Sequence, residues 1–174
     1  TNCPWTEAEA HERAAALCQF RLHWLEEPIF PPENFKALAA LQEKFEIPIA
    51  AGENACTSFE FEKMFEAGAV RYAQPSVTKV GGVTELRKVA SQCSVAGVQL
   101  MPHSPYFGPG FLATLQLAAL ESSDCMIERF YLTPEASLYG EWIDPTEGTF
   151  AIPEGPGLGV LPDPDVIREY RVEV

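Results

Sequence analysis

Short apolar segments alternate with amphipathic helical patterns along most of the chain. Helical spacing follows the cap pattern Thr6–Glu9, the turn Pro31-Pro32, the second cap pattern Thr57–Glu60 and the pair Gly81-Gly82, and a fifth apolar helix covers residues 111–120. Between these helices lie the predicted strands His23–Leu25, Ile47–Ala51, Val70–Ala73, Val95–Met101 and Cys125–Ile127. The regular order of strand and helix predicts an α/β protein.

Polar or titratable residues follow the predicted strands. They are Glu26, Glu53, Ser76, His103 and Glu128, and they succeed one another after 27, 23, 27 and 25 residues. Each interval is one βα unit, and repeated units of this kind predict a parallel sheet. Five such units favour successive strands of a (β/α)8-type, TIM-like barrel, whose active site lies at the strand C-termini. A doubly wound open sheet is the alternative, but the glycine-rich turn expected after its first strand is absent from the sequence.

Five strands do not close a barrel of eight. We therefore expect the missing strands upstream of Thr1 and interpret residues 1–143 as the C-terminal part of the barrel. The βα rhythm fails from Asp144 onward, where Gly155–Gly159 is irregular and 165–174 is either a short strand or a helix. Residues 144–174 are predicted to leave the barrel and pack against another domain.

Composition narrows the classes of function. The chain of 174 residues is 47% hydrophobic and carries a formal charge of -13, which disfavours nucleic-acid binding because the surface repels phosphates. No apolar run approaches the roughly 20 residues that cross a bilayer, so no membrane partner is expected. The five cysteines are scattered without a metal-type pair, which favours reduced thiols and a cytoplasmic protein.

Two carboxylates stand at the ends of neighbouring strands. Glu26 and Glu53 can converge on one hard cation because adjacent strands lie about 4.8 Å apart, and Mg²⁺ is the natural candidate. The alternative interpretation is that both side chains face solvent.

His103 and Glu128 follow the last two predicted strands. Imidazole exchanges protons near neutral pH, which suits His103 for general acid/base work, although a lone histidine is more often structural. A protonated Glu128 could hydrogen-bond a substrate oxyanion, and an ion pair with Arg129 is an equally open alternative.

Five short motifs carry a resemblance to a known family. They are Trp24-Leu25-Glu26-Glu27-Pro28, Gly52-Glu53-Asn54, Lys79-Val80-Gly81-Gly82, Pro102-His103 and Pro156-Gly157-Leu158-Gly159. In this order the chain resembles the mandelate racemase/muconate lactonizing enzyme family of the enolase superfamily. The resemblance implies an N-terminal capping domain, a (β/α)7β barrel and a C-terminal segment that returns to the cap.

The resemblance also implies roles for the strand-end residues. Glu26 and Glu53 match the second and third Mg²⁺ ligands, and the first is expected just before Thr1, while a Lys-x-Lys pair is expected further upstream. His103 matches the acid/base histidine, and Glu128 matches the glutamate that contacts the enolate.

Ser76 departs from the family pattern. It occupies the position of the aspartate that usually orients the histidine, and serine supplies a hydrogen bond without a negative charge. We expect His103 to be a weaker base and a better acid as a result, unless a nearby carboxylate takes the place of the aspartate.

The implied activity is Mg²⁺-dependent removal of the proton α to a carboxylate through an enediolate. We expect dehydration of an acid sugar to a 2-keto acid, by a homo-oligomer that acts on small-molecule carboxylates. A racemase or epimerase of a 2-hydroxy acid is an alternative, and a catalytically impaired relative that only binds carboxylates is another.

Overall fold

Four parallel strands and the helices between them build the first of two units in the chain. The computed structural model describes residues 1–121 and 125–172. The units comprise Thr1–His103 and Ser104–Val174. Within the described ranges, no helix is both long and apolar enough to cross a membrane.

The first unit repeats the predicted order of strand and helix. Its elements are α1 Glu7–Leu17, a 3₁₀ turn Cys18–Phe20, β1 Leu25–Glu26, α2 Phe35–Phe45, β2 Ile49–Ala51, α3 Ser58–Glu66, β3 Tyr72–Ala73, α4 Val83–Ala96 and β4 Gln99–Leu100. The strands pair in chain order, β1-β2-β3-β4, and every pair is parallel. This arrangement confirms the predicted parallel α/β sheet with one crossover helix per strand pair.

Local side chains explain where the helices begin. Thr6 caps α1 in a complete capping box with Glu9, and Thr57 caps α3 by accepting from the backbone N–H of Glu60. The helix predicted from Pro31-Pro32 begins at Phe35, because the Asn34 side chain accepts from Ala37 N and acts as its N-cap.

The strand predicted over 95–101 is wrong at its first residues. Val95 and Ala96 belong to the last turn of α4, which ends where Gly97 adopts the left-handed conformation (φ 68°). The strand itself is Gln99–Leu100. Val95 is β-branched, which favours a strand by propensity, but it lies on the surface of the helix and is 91% exposed.

The core of the first unit lies between the sheet and the inner faces of the helices. α2, α3 and α4 each bury a stripe at helical spacing, and β2 is buried at all three positions. Among its fully buried large side chains are Leu38, Leu41, Ile49, Phe61, Met64 and Leu86. This packing fixes the strands whose ends carry the candidate site.

The described residues of the second unit contain little regular structure. It contains α5 Pro109–Ala118, a 3₁₀ turn Gly140–Ile143 and α6 Pro164–Tyr170. Phe111, Leu112, Leu115, Tyr139 and Ile143 form its buried cluster.

Two sequence predictions are settled in the second unit. The predicted strand Cys125–Ile127 is wrong, since residues 125–130 belong to neither helix nor strand; a three-residue apolar segment becomes a strand only where a neighbouring strand pairs with it. Of the two alternatives for 165–174, the helix is correct, as α6 shows, and residues 173 and 174 lie outside the described residues. The predicted division into 1–143 and 144–174 stays a prediction.

Candidate functional site

Glu26 is the last residue of β1, and two donors hold its carboxylate. Trp24 Nε1 donates to Glu26 Oε2 at 3.2 Å, and Gln74 Nε2 donates to the same oxygen at 2.6 Å. Gln74 directly follows β3, so the contact joins two strands that both border β2. The orientation of the Glu26 carboxylate is therefore fixed from one side.

Glu53 lies two residues beyond β2 and contacts the candidate acid/base histidine. His103 Nδ1 is 3.0 Å from Glu53 Oε2, and the two side chains are only 12% and 18% exposed. The hydrogen bond from His103 lowers the pKa of Glu53 below its usual value, although partial burial opposes the shift. The structure thus brings together two of the predicted site residues, Glu53 and His103.

Gly52 sets the path of the chain into Glu53. Its φ of +136° lies in a region that residues with a Cβ rarely adopt. A Cβ at this position would lie 2.7 Å from Phe61 Cε1 and 3.1 Å from Gln74 N. Only glycine fits both the backbone conformation and the space before Glu53.

Ser76 is fully buried three residues beyond the end of β3, and its hydroxyl is 2.9 Å from Thr78 Oγ1. The serine brings no charge to this position, whereas the nearby carboxylate considered in the sequence analysis exists as Glu53. Glu53, and not a residue at position 76, is the carboxylate that contacts His103 Nδ1.

Glu128 belongs to the second unit, in the irregular segment 125–130. Its neighbour Arg129 binds Asp144 through Nε at 2.9 Å and Nη2 at 2.8 Å. The same guanidinium donates to the carbonyl oxygens of Phe130 and Leu132. The role predicted for Glu128 stays a prediction.

Glu27 is a site residue that the sequence analysis did not single out. It is 3% exposed, and its carboxylate accepts from Cys3 Sγ, Gly52 N and Asn54 Nδ2 at 3.3, 3.4 and 2.6 Å. Burial raises the pKa of Glu27, and burial together with the bond to Glu27 raises the pKa of the Cys3 thiol to about 12. The sequence offered one signal, a second carboxylate directly after Glu26 at the end of a predicted strand.

Gln74 is the second residue that was missed. It is 7% exposed, and its Oε1 has no hydrogen-bond partner among the residues that the structure describes. Because Nε2 faces the acceptor Glu26 Oε2, the amide orientation is fixed by that contact. No local signal predicts a bond between residues 48 positions apart.

The donor set suits a hard divalent cation. Glu26 and Glu53 offer carboxylate oxygens, and Mg²⁺ is commonly held by one or two carboxylates together with waters and substrate oxygens. Across 1–121 and 125–172, no three His, Cys, Asp or Glu side chains cluster closely enough to form a metal site by themselves. The residues present fit a Mg²⁺ site that needs further oxygen ligands.

A parallel βα repeat with carboxylates and a histidine at its strand ends defines part of an α/β barrel of the enolase type. Residues 1–166 match the family model described as enolase C-terminal domain-like. The chain therefore belongs to the enolase superfamily and is of the mandelate racemase/muconate lactonizing enzyme type, which confirms the resemblance and the fold class inferred from the sequence.

Individual relatives agree with this assignment. The chain is 29% identical to D-galactarolactone cycloisomerase of Agrobacterium fabrum, over 98% of this chain and 48% of that protein. It is 30% identical to D-xylonate dehydratase of Haloferax volcanii, over 99% of this chain and 42% of that protein. The crystal structure of L-talarate dehydratase from Polaromonas sp. JS666, complexed with Mg and L-glucarate, superposes with a TM-score of 0.82 at 30% identity, over 96% of this chain and 44% of that one. The chain thus spans less than half the length of each relative.

Proposed function

We propose that this chain forms part of an enzyme that removes the proton α to a carboxylate and then eliminates water, converting an acid sugar into a 2-keto acid. The observation that carries the proposal is the contact between His103 Nδ1 and Glu53 Oε2, beside a second strand-end carboxylate on Glu26. The similarity to D-xylonate dehydratase and L-talarate dehydratase supports an acid sugar as the substrate.

Glu26 and Glu53 would hold Mg²⁺, together with an acidic residue immediately before Thr1. When bound, the cation supplies the positive charge that offsets the second negative charge developing on the substrate carboxylate. Removing a proton α to a carboxylate without such a charge is prohibitively slow, since the product is a dianion. Trp24 and Gln74 support this role because they orient the Glu26 carboxylate.

The Lys-x-Lys pair expected upstream would supply the base that takes the α-proton, and His103 would act as the general acid. Its Nδ1 donates to Glu53, which leaves Nε2 as the nitrogen that exchanges the catalytic proton. Donation from Nε2 to the departing hydroxyl converts it into water as the Cβ–O bond breaks, and the imidazole is left neutral. Glu53 holds the ring in one tautomer, the function that an aspartate at position 76 would otherwise serve.

Glu128 would donate a hydrogen bond from its protonated carboxyl to the substrate oxyanion. An acidic group can take this role when its surroundings keep it neutral near pH 7. Ser76 would contribute its buried hydroxyl, three residues beyond β3, and no charge.

The experiment is a screen of the full-length protein against aldonic and aldaric acids. Formation of 2-keto acid in the presence of Mg²⁺, abolished by a chelator and restored by added Mg²⁺, is the expected result. Exchange of the α-proton with solvent deuterium without loss of water would instead indicate the racemase or epimerase alternative. Binding of acid sugars with neither reaction would indicate the impaired relative.

Two properties of the whole protein belong to the same proposal. The thiols of Cys3, Cys18, Cys56 and Cys125 form no disulfide among the described residues, which supports a reducing, cytoplasmic environment. We further propose that the protein is a homo-oligomer. In each subunit, residues 1–143 would form the C-terminal part of the barrel and residues 144–174 would pack on a capping domain.

A further inference from the structure

We propose that Glu27 is a positioning residue. It holds Glu53 in place by hydrogen bonds to Gly52 and Asn54, the two residues that flank Glu53 in the chain. The inference rests on the proposed function, because it treats Glu53 as a Mg²⁺ ligand. Glu27 itself would touch neither the metal nor the substrate.

The contacts of the Glu27 carboxylate bracket Glu53. Oε1 accepts from the backbone N–H of Gly52 at 3.4 Å, and Oε2 accepts from Asn54 Nδ2 at 2.6 Å. Gly52 and Asn54 are the residues immediately before and after Glu53. One carboxylate therefore ties down the turn that presents the candidate ligand.

The backbone of Glu27 is held as firmly as its side chain. Its N–H donates to Ala50 O at 3.0 Å, and its carbonyl oxygen accepts from Cys3 N at 2.6 Å. Glu27 also has a φ of +39°, a left-handed conformation that residues other than glycine rarely adopt. Glu27 is 3% exposed, lies in a rarely adopted backbone conformation and accepts from three donors, which points to a task in the site.

The donor set also explains why a carboxylate is required. Three donors converge on Glu27, namely Cys3 Sγ, Gly52 N and Asn54 Nδ2. A carboxylate accepts on both oxygens, whereas an amide accepts on one and donates on the other. Glutamine at this position would leave at least one of the three donors facing an NH₂ group, and the turn around Glu53 would lose a tether.

The test measures Mg²⁺ affinity, with the metal alone as the probe. The full-length protein, Glu27→Gln and Asn54→Ala are titrated with MgCl₂ by calorimetry at 25 °C, after circular dichroism shows that each variant is folded. Partners that orient metal ligands typically contribute 10–100-fold in affinity, and we expect a loss in that range for both variants. Asn54→Ala removes the tether without changing the charge, so it separates positioning from simple attraction between Glu27 and the cation.

Glu60→Gln is the matched control. The Glu60 carboxylate also accepts from a backbone N–H and a side chain of the same region, Cys56 N and Thr57 Oγ1, but these residues do not flank Glu53. The Mg²⁺ affinity of this variant should stay within about twofold of the wild type, since Glu60 is a partly exposed charge that tethers neither neighbour of Glu53.

The outcomes separate this inference from the proposed function. A wild-type protein that binds no Mg²⁺ refutes the proposed function itself. A wild type that binds Mg²⁺ while Asn54→Ala and Glu27→Gln bind it equally well overturns the positioning role alone. If Glu27→Gln does not fold, Asn54→Ala decides: weakened binding supports the inference, and unchanged binding overturns it.

Discussion

The two units of the chain reach stability by different means. In Thr1–His103, four parallel strands and four helices repeat, and the buried residues follow the periods of helix and strand. In Ser104–Val174, α5 carries a cluster of aromatic and aliphatic side chains, and long irregular segments pack onto that cluster. Regular topology places residues by register, whereas an irregular unit places them by individual side-chain contacts.

The difference matters for the candidate site. Glu26, Glu53, Ser76 and His103 all lie in the first unit, at or just beyond the ends of successive strands. Glu128 lies in the second unit, in a segment without helix or strand. Parallel strands bring their carboxyl ends to one edge, so a sequence repeat is enough to predict that the first four residues share that edge.

The largest expected effect tests whether the first unit, and not Glu128 of the second, supplies the catalytic proton. Replacing His103 by Asn removes the proton donor but keeps a polar side chain, and turnover should fall by roughly 10²–10⁴-fold, the usual contribution of one general acid. Mg²⁺ binding should persist, as measured by calorimetry. Glu128→Gln retains a hydrogen-bond donor, so its turnover should fall less than that of His103→Asn. Both variants are assayed on the acid sugar that the screen identifies. Near-normal turnover of His103→Asn would show that His103, and with it the first unit, does not supply the proton.

The second prediction concerns the strand end at Gly52. Gly52→Ala combines an unfavourable φ with a close approach to the Phe61 ring, and we expect a loss of about 2–5 kcal/mol in the free energy of unfolding. Gly68→Ala is the matched control, because Gly68 also has a positive φ (+66°) but nothing lies within 4 Å of the added Cβ. The free energy of unfolding of Gly68→Ala should fall by only about 1–2 kcal/mol. Urea denaturation measures both, and equal losses would mean that the space beside Gly52 imposes no constraint.

Much of the first unit could be predicted from sequence because its signals are local. The capping box Thr6–Glu9 fixed the start of α1, and the apolar spacing around Leu38 and Leu41 identified the buried face of α2. Val95 led to a wrong strand prediction because its β-branched side chain is common in strands. Only its exposure in the folded unit distinguishes the helix from a strand at this position.

The contacts inside the site were not predictable in the same way. The bond from Gln74 to Glu26 joins residues on strands that do not pair, and the bonds of Glu27 reach from residue 3 to residue 54. Such contacts depend on side-chain directions in the folded unit, which no short pattern encodes. The Cys125–Ile127 segment fails for a related reason, since strand formation depends on a pairing neighbour and not on composition alone.

The third prediction sharpens the comparison from the side of the second unit. Arg129 binds Asp144, donates to the carbonyl oxygens of Phe130 and Leu132, and lies 5.1 Å from the centre of the Phe107 ring. Arg129→Met leaves these acceptors without their donor and should destabilise the unit by about 1–3 kcal/mol. Hydrogen exchange of the α5 amides is the measurement.

The control for Arg129 is Arg168→Met. Arg168 pairs with Asp165 across one turn of α6, with both side chains about three-quarters exposed. Its loss should change stability by less than about 0.5 kcal/mol. If the α5 amides exchanged at the same rate in both variants, the stability of the second unit would not depend on Arg129. Its irregular segments would then be held by the apolar cluster alone.

The smallest effects test whether local rules act equally in both units. Thr6 caps α1 in the first unit, and Asp163 caps α6 in the second by accepting from Asp165 N and Val166 N. Replacing either by alanine should cost about 1 kcal/mol, the usual contribution of an N-cap. Similar losses, measured by local hydrogen exchange, would show that the units differ in topology and not in how their helices begin.

The cap of α1 adds a pH dependence that can be followed separately. The backbone hydrogen bond from Thr6 lowers the pKa of Glu9 below its usual value, so ionised Glu9 favours the folded state. Its contribution is fully present above pH 4.5 and is lost as the pH falls through the lower pKa of the folded protein. The difference in urea midpoint between wild type and Glu9→Gln should therefore be largest near pH 7 and shrink toward pH 3. A difference that stays constant over this range would mean that the Thr6–Glu9 bond does not depend on the charge of Glu9, and that the cap rests on Thr6 alone.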